Sequence, residues 1–343
     1  MQKYSFRNDY SEGMHPSIIA ALSATNLVQQ DGYSEDSYCE QARDVIKKKI
    51  GLQNVDIHFV SGGTQANAIV ITSALKSFEG VIAATTGHIN VHETGAIEAT
   101  GHKIILVASN DGKVKSSDVI AEIHRAEDHH MVRPGMVYIS NSTELGSVYT
   151  KNELTSLSQV CRQNGLYLFL DGARLGSAFC SEKNDLTLAD LSVLTDVFYI
   201  GGTKNGAMMG EAIVITNNNL KKDFNYHLKQ RGALLSKGRL MGIQFLELFK
   251  ENLYFELAQH ANLMAKKIAD AIKSKGFSFL TEPVSNQLFP IFPNALIAKL
   301  SEKYEFYIWS KIEDEKSAVR LVTSWASIEA KVDEFIEDIC AFK

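Results

Sequence analysis

Short apolar runs alternate with longer amphipathic segments over the first two thirds of the chain. Each run covers only four or five residues, which suits a buried strand better than a helix. The runs predict strands at 57–60, 81–84, 103–107, 136–140, 166–170, 197–200 and 212–216. The segments between them carry helical patterns, as at 64–76, 117–127 and 151–164. This alternation predicts an α/β fold with a mostly parallel, seven-stranded sheet.

The pattern changes after residue 216. The segment 234–275 has apolar positions at helical spacing and predicts mostly long helix, with Gly238 and Gly242 near its start. Shorter strand candidates and a last helix follow it, at 278–280, 288–292, 318–323 and 326–342. These elements predict a small α+β C-terminal domain. We place the boundary so that the large domain covers 1–245 and the small domain 246–343.

Composition and charge narrow the classes of protein. The chain has 343 residues, 45% of them hydrophobic, with a net charge of -5, which argues against general nucleic-acid affinity. Four scattered cysteines without CxxC spacing indicate neither a metal site nor a disulfide framework, and they fit a reducing compartment. The N-terminal residues show no signal-peptide core, and no run reaches the ~18 apolar residues that a membrane span needs. We therefore expect a cytoplasmic protein without a membrane or nucleic-acid partner.

Lys204 and Asp171 each follow an apolar run. Lys204 lies in Gly-Gly-Thr-Lys-Asn-Gly, where a lysine with small neighbours can condense with an aldehyde, or can be a solvated loop lysine. Asp171 closes its strand at the end where α/β proteins place ligands, although a helix N-cap is the alternative. A carboxylate against a pyridinium nitrogen keeps that nitrogen protonated and improves the ring as an electron sink. Together the two residues predict a site for pyridoxal 5'-phosphate (PLP).

The segment Ser61-Gly62-Gly63-Thr64-Gln65-Ala66-Asn67 joins a predicted strand to a predicted helix. Successive amides at a helix N-terminus attract a phosphate, and the Thr64 hydroxyl can donate as well. The segment is neither a Walker A loop nor a GxGxxG fingerprint. It is therefore either a phosphate-binding turn or a glycine turn that only caps the helix.

Three further side chains are candidates for contacts with a substrate or a cofactor ring. His88 follows the strand at 81–84 and can stack on a pyridine ring, act as a base, or be purely structural. Arg174 can hold a substrate carboxylate through two hydrogen bonds, or can form a surface salt bridge. Arg320 lies in an apolar strand, where its charge needs a partner, and a ligand carboxylate is one candidate.

Two charged segments have less definite roles. The segment 230–239 contains Arg231, Lys237 and Arg239, and it is either a solvated face or a source of positive charge for a phosphate across a subunit interface. Residues 127–130 (Glu-Asp-His-His) show no recognised metal-ligand spacing, and we interpret them as a solvated helix end. We predict no metal site.

In their order along the chain, these pieces resemble the fold-type I PLP enzymes, which have the aspartate aminotransferase-type, PLP-dependent transferase-like fold. Within that group they resemble the low-specificity L-threonine aldolases and β-eliminating lyases. The matching segments cover almost the whole chain: 7–9, 32–36, 61–67, 88, 93–96, 171–174, 202–207 and 320. The resemblance implies a lyase that cleaves the Cα–Cβ bond of L-threonine, L-allo-threonine or a related β-hydroxy amino acid to glycine and an aldehyde. It also implies a homodimer or homotetramer with shared active sites.

The resemblance assigns roles residue by residue. It implies Lys204 as the Schiff-base lysine, Asp171 as the partner of the pyridine nitrogen and His88 as the group that stacks on the ring. The residues it places at the cofactor are Gly63, Thr64, His88, Asp171, Arg174, Thr203 and Lys204, the first two and Thr203 at the phosphate. The residues it places at the substrate are Asn8, Tyr33, Arg174 and Arg320. Tyr33 is expected near the active site of the neighbouring subunit.

The chain departs from the family pattern at two places. Threonine aldolases commonly carry a histidine after the strand equivalent to 136–140, where this chain has Glu144. The usual Pro-Thr after the segment 33–36 is replaced by Ser37-Tyr38. We hypothesise that Glu144 tunes which β-hydroxy amino acid is accepted. Lys204, His88 and Glu144 are then the catalytic candidates, and the base is His88, Glu144 or a phosphate-bound water.

Other functions use the same residues. β-Elimination from a cysteine- or serine-like substrate, or transamination of another small L-amino acid, needs the same lysine, aspartate and phosphate turn. A binding or regulatory protein on an enzyme-like fold is the alternative from another class. It is disfavoured, because a protein without catalysis has no need for all three features.

Overall fold

The computed structural model describes residues 3–342. Its strands are β1 (Tyr4–Ser5), β2 (Asp56–Val60), β3 (Glu79–Ala84), β4 (Ile104–Val107), β5 (Arg133–Ser140), β6 (Tyr167–Asp171), β7 (Val197–Gly201), β8 (Glu211–Ile215), β9 (Gln287–Leu288), β10 (Ile291–Pro293), β11 (Tyr304–Glu305), β12 (Tyr307–Glu313) and β13 (Lys316–Val322). Its helices are α1 (Pro16–Thr25), α2 (Ser37–Ile50), α3 (Gly63–Ala74), α4 (His88–Val91), α5 (Ser116–Arg125), α6 (Lys151–Gln163), α7 (Leu175–Phe179), α8 (Leu188–Leu194), α9 (Phe224–Gln230), α10 (Arg239–Phe249), α11 (Leu253–Ser274), α12 (Asn294–Leu300) and α13 (Glu329–Cys340). Short 3₁₀ helices span Glu98–Thr100 and Asn218–Leu220.

The central sheet has seven strands in the order β2-β8-β7-β6-β5-β3-β4. Strand β8 pairs antiparallel with both of its neighbours, and the other pairs are parallel. The predicted α/β fold with a mostly parallel, seven-stranded sheet is confirmed. Each predicted strand of this sheet overlaps an observed one. The agreement follows from burial, because strands covered on both faces need nearly continuous apolar runs.

Alternate side chains of each strand enter two cores on opposite faces of the sheet. In β3, Ile82 and Ala84 pack on the face covered by α2, α6 and α10, whereas Val81 and Ala83 pack on the face covered by α3 and α9. This alternation is the period of two that a pleated strand imposes. The sheet is thus held rigidly from both sides, and the loops at its edge extend from a fixed frame.

A third core lies in the C-terminal part of the chain. It is built by residues such as Ile268, Leu321 and Phe335, around a sheet in the order β10-β13-β12 with β9 also paired to β13. The N-terminal segment joins it, since Phe6 is fully buried there and β1 pairs parallel with β11. The division at 245/246 stays a prediction, and Phe245 itself lies within α10 in a core of the large sheet.

Several predicted boundaries in the C-terminal third differ from the structure. The helix expected over 234–275 is broken at 250–252 into α10 and α11. The strand expected at 288–292 is split into β9 and β10 around Pro290, which has no amide hydrogen for a sheet. The stretch 278–280 forms only an isolated bridge between Phe279 and Pro290. Among residues 3–342, no helix is both long and apolar enough to cross a membrane.

Candidate active site

The carboxyl ends of five strands meet at one edge of the central sheet. Strands β2, β3, β5, β6 and β7 run in the same direction, so the loops that follow them emerge on the same side. These loops carry the phosphate turn, His88, Glu144, Asp171 and Lys204 in chain order. Ligands of open α/β sheets bind at this edge. The structure therefore brings the sequence-predicted residues to one place, although they are spread over more than a hundred positions.

Asp171 is buried at the end of β6 and is held by three hydrogen bonds. Its Oδ2 accepts from the Tyr138 hydroxyl at 2.5 Å and from Asn67 Nδ2 at 3.2 Å, and its Oδ1 accepts from the Ala173 amide at 2.9 Å. Burial, and after it the charge of Asp171, raises the pKa of Tyr138 well above its ordinary value. Tyr138 therefore stays a hydrogen-bond donor, and the carboxylate keeps a fixed orientation.

A chain of hydrogen bonds leads from Asp171 through Asn67 and Glu93 to His88. Asn67 Nδ2 also donates to Glu93 Oε1 at 2.7 Å, and His88 Nδ1 lies 2.8 Å from the same oxygen. Glu93 is buried, whereas His88 is about a third exposed. A carboxylate against one ring nitrogen fixes the orientation of an imidazole. Asn67 and Glu93 stand within segments that the sequence singled out, but only the fold shows that they connect two site residues.

The phosphate turn lies at the start of α3. Gly62 is the N-cap, and no side chain among residues 3–342 caps this helix. The turn lines a pocket of about 450 Å³ together with Arg231. Gln65 fixes this arrangement, because its Oε1 accepts from the Ser61 amide at 3.1 Å and its Nε2 donates to the Arg231 carbonyl at 3.1 Å. Free amides at the start of a helix suit a phosphate, and Arg231 lines the same pocket.

The other two cations of the basic segment are not placed at this pocket. The Arg239 guanidinium donates to the carbonyls of Thr25 and Asn26 at 3.2 and 2.9 Å, so it ties α10 to the end of α1. Lys237 does not line the pocket. In the sequence the three cations belong to one basic segment, but in the structure only Arg231 lines the pocket.

Lys204 lies in the turn after β7, next to the strand that ends in Asp171. Among residues 3–342, no hydrogen bond or ion pair engages its amine. Burial, and after it the charge of Arg174, lowers the pKa of Lys204, against the opposing charges of Asp9, Asp171 and Glu211. An unpaired amine with a lowered pKa is a better nucleophile than an ordinary lysine.

Two arginines lie close to one another beside Lys204. The guanidinium of Arg174 forms two bonds to Asp9, from Nε at 2.7 Å and from Nη2 at 2.9 Å. Arg320 Nη2 donates to Gln287 Oε1 at 2.7 Å, and its Nε is buried without a partner among the described residues. Burial, followed by the charge of Arg174, lowers the pKa of Arg320 to about 10. Two neighbouring cations with an unused buried donor suit an anionic ligand.

Asp9 is a site residue that the sequence did not assign a role. It is fully buried, and Asn286 Nδ2 donates to it at 2.9 Å. Burial is the largest single influence and raises the pKa of Asp9, but the charges of Arg174 and Lys204 and the hydrogen bonds from Arg174 and Asn286 together hold the pKa below its ordinary value. Asp9 takes two of the five N–H donors of Arg174, so both hydrogens of Nη1 and the second hydrogen of Nη2 are left for a substrate.

Glu144 follows β5 and contacts the neighbouring loop. Its Oε1 accepts from the His88 amide at 2.9 Å and from Ser140 Oγ at 2.7 Å. Burial raises the pKa of Glu144, and the charge of Asp171 adds to the shift. Nearby, burial and then the charges of His88, Arg320, Lys204 and Arg174 lower the pKa of His92, so these groups converge on one region.

Three predicted site residues are placed without a contact that tests their roles. Asn8 Oδ1 accepts from the Tyr10 amide at 2.9 Å, and Asn8 immediately precedes Asp9. Thr203 Oγ1 accepts from the Gly210 amide at 2.9 Å. The Tyr33 ring is about half exposed, with the Lys229 ammonium 4.4 Å from its centroid. Their assignments to substrate and cofactor stay predictions.

The fold and the site together define a PLP-dependent enzyme with an aspartate aminotransferase-type large domain. The family model described as "Beta-eliminating lyase" matches residues 6–293. The chain belongs to this family of lyases.

Relatives and solved structures agree with this membership. The chain is 31% identical to the low specificity L-threonine aldolase of a Pseudomonas species, over 99% of this chain and 98% of that one. It is 29% identical to the enzyme of the same name from Pseudomonas aeruginosa, over 97% and 96%. The solved structure of Leishmania major threonine aldolase is similar, with 48% identity, a TM-score of 0.96 and coverage of 97% of this chain and 98% of that chain. A Thermus thermophilus aspartate aminotransferase variant, at 13% identity, a TM-score of 0.73 and coverage of 98% and 91%, shares the fold.

Proposed function

We propose that the protein is a PLP-dependent lyase that cleaves the Cα–Cβ bond of L-threonine, L-allo-threonine or a related β-hydroxy amino acid. The products are glycine and an aldehyde. This proposal rests on one observation: three chemical features lie together at one edge of the central sheet. These are the unpaired, partly exposed amine of Lys204, the buried carboxylate of Asp171, and the arginine pair Arg174 and Arg320. When bound, PLP supplies an electron sink for the electrons of a broken Cα bond.

The residues present fit the cofactor. Lys204 would hold it covalently, and the carboxylate of Asp171, fixed by Tyr138 and Asn67, would face its ring nitrogen. The uncapped start of α3 at Gly63 and Thr64 would bind its phosphate, with Thr203 assisting. His88, oriented by Glu93, would stack on its ring.

The arginine pair supports recognition of a substrate carboxylate. The buried Nε of Arg320 and Nη1 of Arg174 are donors that the chain itself leaves available. A substrate carboxylate between the two arginines would accept hydrogen bonds from these donors. Its negative charge would also reduce the repulsion between the two guanidinium groups. Holding the carboxylate also fixes the orientation of Cα, and so selects which of its bonds breaks. Asn8 and Tyr33 complete the substrate contacts that we propose.

Cleavage requires a base for the proton of the β-hydroxyl group. Glu144 and His88 lie at adjacent loops of the site and are the side-chain candidates, with a phosphate-bound water as the alternative. Oε1 of Glu144 already accepts two hydrogen bonds, which leaves Oε2 for a substrate hydroxyl. Proton transfer to this oxygen would accompany the breaking of the Cα–Cβ bond.

β-Elimination is the second candidate, and the description of the matching family model favours it. Product analysis separates the two functions. Cleavage of L-threonine gives glycine and acetaldehyde, whereas elimination from L-serine gives pyruvate and ammonia, and elimination from L-cysteine gives hydrogen sulfide as well. We expect the first pair of products, lost in Lys204→Ala, and a visible absorption band of the bound cofactor in the wild type. A colourless protein that takes up no added PLP would overturn the proposal.

We also propose a homodimer or homotetramer in the cytoplasm, with active sites shared between subunits. Exposed apolar side chains support an interface, since Leu27 is 94% exposed and the neighbouring Val28 is 44% exposed. The four free cysteines support a reducing compartment.

A further inference from the structure

Gln287 is a buried, uncharged side chain that contacts both Arg320 and the turn that carries Glu144. It begins β9 and is only 1% exposed. Its Oε1 accepts from Arg320 Nη2 at 2.7 Å, and its Nε2 donates to the Thr143 carbonyl at 3.1 Å. A buried carboxamide with both ends engaged cannot rotate without leaving a polar group unpaired. The side chain therefore holds its two partners at a fixed separation.

Strand pairing places Gln287 beside Arg320. Gln287 lies opposite Val322 in the antiparallel pair of β9 and β13, and Arg320 is two residues before Val322 on β13. Diagonal neighbours of this kind lie on one face of a sheet, within reach of long side chains. Among residues 3–342, the Arg320 guanidinium has no other hydrogen-bond partner, and its Nε is buried without one. Gln287 therefore sets the orientation of this guanidinium.

The two arginines of the site are held by partners of different charge. Arg174 forms a salt bridge with Asp9, so a neighbouring negative charge offsets its own. Arg320 is held by an amide oxygen, which orients a guanidinium without cancelling its charge. Asn286, the residue before Gln287, donates to Asp9 at 2.9 Å, so one short segment supports both arginines.

The same part of the chain also holds the backbone on both sides of Glu144. Thr143 and Leu145 are buried, whereas Glu144 between them is partly exposed. The Thr143 carbonyl accepts from Gln287, and the Leu145 carbonyl accepts from Thr281 Oγ1 at 2.8 Å. The turn of Glu144 is therefore fixed relative to the segment that orients Arg320.

We propose that Gln287 is a positioning residue that aims the uncompensated charge of Arg320 at the substrate carboxylate and holds the turn of Glu144 at a set distance from it. Carboxylate binding and proton transfer are thereby aligned on one substrate molecule. This inference rests on the proposed function, because it takes Arg320 as a substrate contact and Glu144 as a candidate base.

The test uses Gln287→Glu in the full-length protein with PLP bound. This variant keeps an acceptor for Arg320, adds a negative charge and removes the donor to Thr143. Glycine is the probe, since it has the carboxylate of the substrate but no β-hydroxyl group, and its binding is followed by the absorption of bound PLP. We expect the Kd for glycine to rise about tenfold, because the new carboxylate competes for Arg320. We also expect kcat for L-threonine to fall, because the turn of Glu144 loses a hydrogen bond.

A second variant separates this role from a general loss of structure. Gln287→Met has a similar length but no charge and no hydrogen bond, so Arg320 loses its orientation and keeps its charge. We expect the Kd for glycine to rise only about threefold, less than in Gln287→Glu. The affinity of the PLP-free protein for PLP should match the wild type in both variants. The matched control is Gln259→Glu, at an exposed position on α11, which should leave the Kd for glycine unchanged.

Three outcomes overturn the inference. One is a Kd for glycine in Gln287→Glu that equals the wild-type value or lies below that of Gln287→Met. If Gln287→Glu does not fold, a wild-type Kd in Gln287→Met overturns it alone. An unchanged kcat for L-threonine in the folded variants removes the link to Glu144. The proposed function fails separately, if the wild type binds PLP and glycine but forms no acetaldehyde from L-threonine.

Discussion

Single residues in this site act in two ways: some would contact a ligand and others fix those contacts. Asn67 links Asp171 to Glu93, and through Glu93 it links to His88. Gln287 holds Arg320 through Oε1 and donates to the Thr143 carbonyl, next to Glu144, at 3.1 Å. Asn67 Nδ2 donates both of its hydrogen bonds, whereas Gln287 accepts one and donates one, so each of these carboxamides joins two segments of the site. Rigid support of this kind holds a site within the tolerance that catalysis needs.

Glu144→Gln removes a carboxylate that we place among the candidate bases. We expect kcat/KM for L-threonine to fall roughly tenfold or more, a moderate effect for acid–base catalysis. Because burial raises the pKa of Glu144, the wild-type rate should climb as the pH rises through that pKa, and the variant should lack this limb. Glu127→Gln, at an exposed loop position, serves as the control. Equal kcat/KM values for the wild type and Glu144→Gln would exclude the role.

Arg320→Lys keeps the positive charge but removes the planar fork of donors. We expect KM for L-threonine to rise about tenfold while the absorption spectrum of bound PLP is unchanged, since an ammonium cannot replace a bidentate contact. Steady-state kinetics and a spectrum of the same sample measure both quantities. Arg125→Lys, on an exposed helix face, should leave KM as it is. A variant with wild-type KM would remove Arg320 from the substrate contacts.

Some of these residue roles could be predicted from the sequence and others could not. Lys204 and Asp171 were predictable, because a reactive side chain directly after a buried strand is visible as an interruption of an apolar run. The role of Asp9 was not predictable, because a lone carboxylate in a sequence does not indicate which side chain it will bind. Asp9 lies 165 positions from the arginine that it binds.

At the scale of elements, the start of α3 is shaped by its packing on β7. A Cβ at Gly63 would lie 2.9 Å from the Tyr199 hydroxyl, whereas a Cβ at Gly62 would meet nothing within 4 Å. This Cβ–oxygen distance is shorter than real Cβ contacts show, and Tyr199 is buried, so its ring has little room to move away. Position 63 therefore favours glycine, which has no Cβ. The helix can thereby begin directly over the sheet edge.

Gly63→Ala should move this helix start and weaken the proposed phosphate site. We expect the affinity of the PLP-free protein for PLP to fall roughly tenfold, because a small displacement misplaces amides that must point at one ligand. Titration with PLP, followed by absorbance, measures it. The double variant Gly63→Ala/Tyr199→Phe removes the clashing oxygen and should recover much of the affinity. No loss in the single variant, or no recovery in the double one, would show that the contact does not set the site.

Strand β2 contains a partly buried histidine, His58, that makes stability depend on pH. Burial, with a smaller contribution from Arg43, lowers the pKa of His58 to about 4 from an ordinary 6.5. The unfolded chain therefore binds a proton below pH 6.5 that the folded chain does not bind until about pH 4. Stability from this group is present above pH 6.5 and is lost as the pH falls through that window, by about 1–2 kcal/mol between pH 7.5 and pH 5.

His58→Gln should reduce this pH dependence, since an amide does not titrate. We expect a smaller drop of the melting temperature between pH 7.5 and pH 5 than in the wild type, measured by thermal scans. His130→Gln, which removes an exposed histidine, should show the wild-type drop. Identical drops in all three proteins would show that His58 does not control this response.

At the scale of the whole molecule, the sheet edge, the N-terminal segment and the C-terminal part each contribute to one site. Asp9 comes from the N-terminal segment, Arg174 from the loop after β6, and Asn286 and Arg320 from the C-terminal part. Tyr33 lies at a half-exposed position beside the basic segment. This arrangement fits a site that a second subunit completes, as we propose.

Subunit complementation tests the shared site. Lys204→Ala and Tyr33→Ala homo-oligomers should each have strongly reduced activity, since each lacks one of the proposed contacts in every site. After the two variants are dissociated and reassembled together, some sites receive both native residues, and activity should return to about a quarter of the wild-type value if subunits pair at random. Reassembly of either variant with itself is the control. Mixed oligomers without recovered activity would show that the sites are not shared in this way.

The sequence by itself determined the sheet, its order of strands and loops along the chain, and the residues that stand directly at strand ends. It could do so because buried parallel strands require apolar runs, and the loops at their ends require glycine and polar residues. Only the tertiary structure decided which distant side chains become partners: Asp9 with Arg174, and Asn67 with both Asp171 and Glu93. Such pairings depend on which loops come into contact in the folded protein. Hydrophobic periodicity predicts helices and strands, but it does not indicate which loops will contact one another.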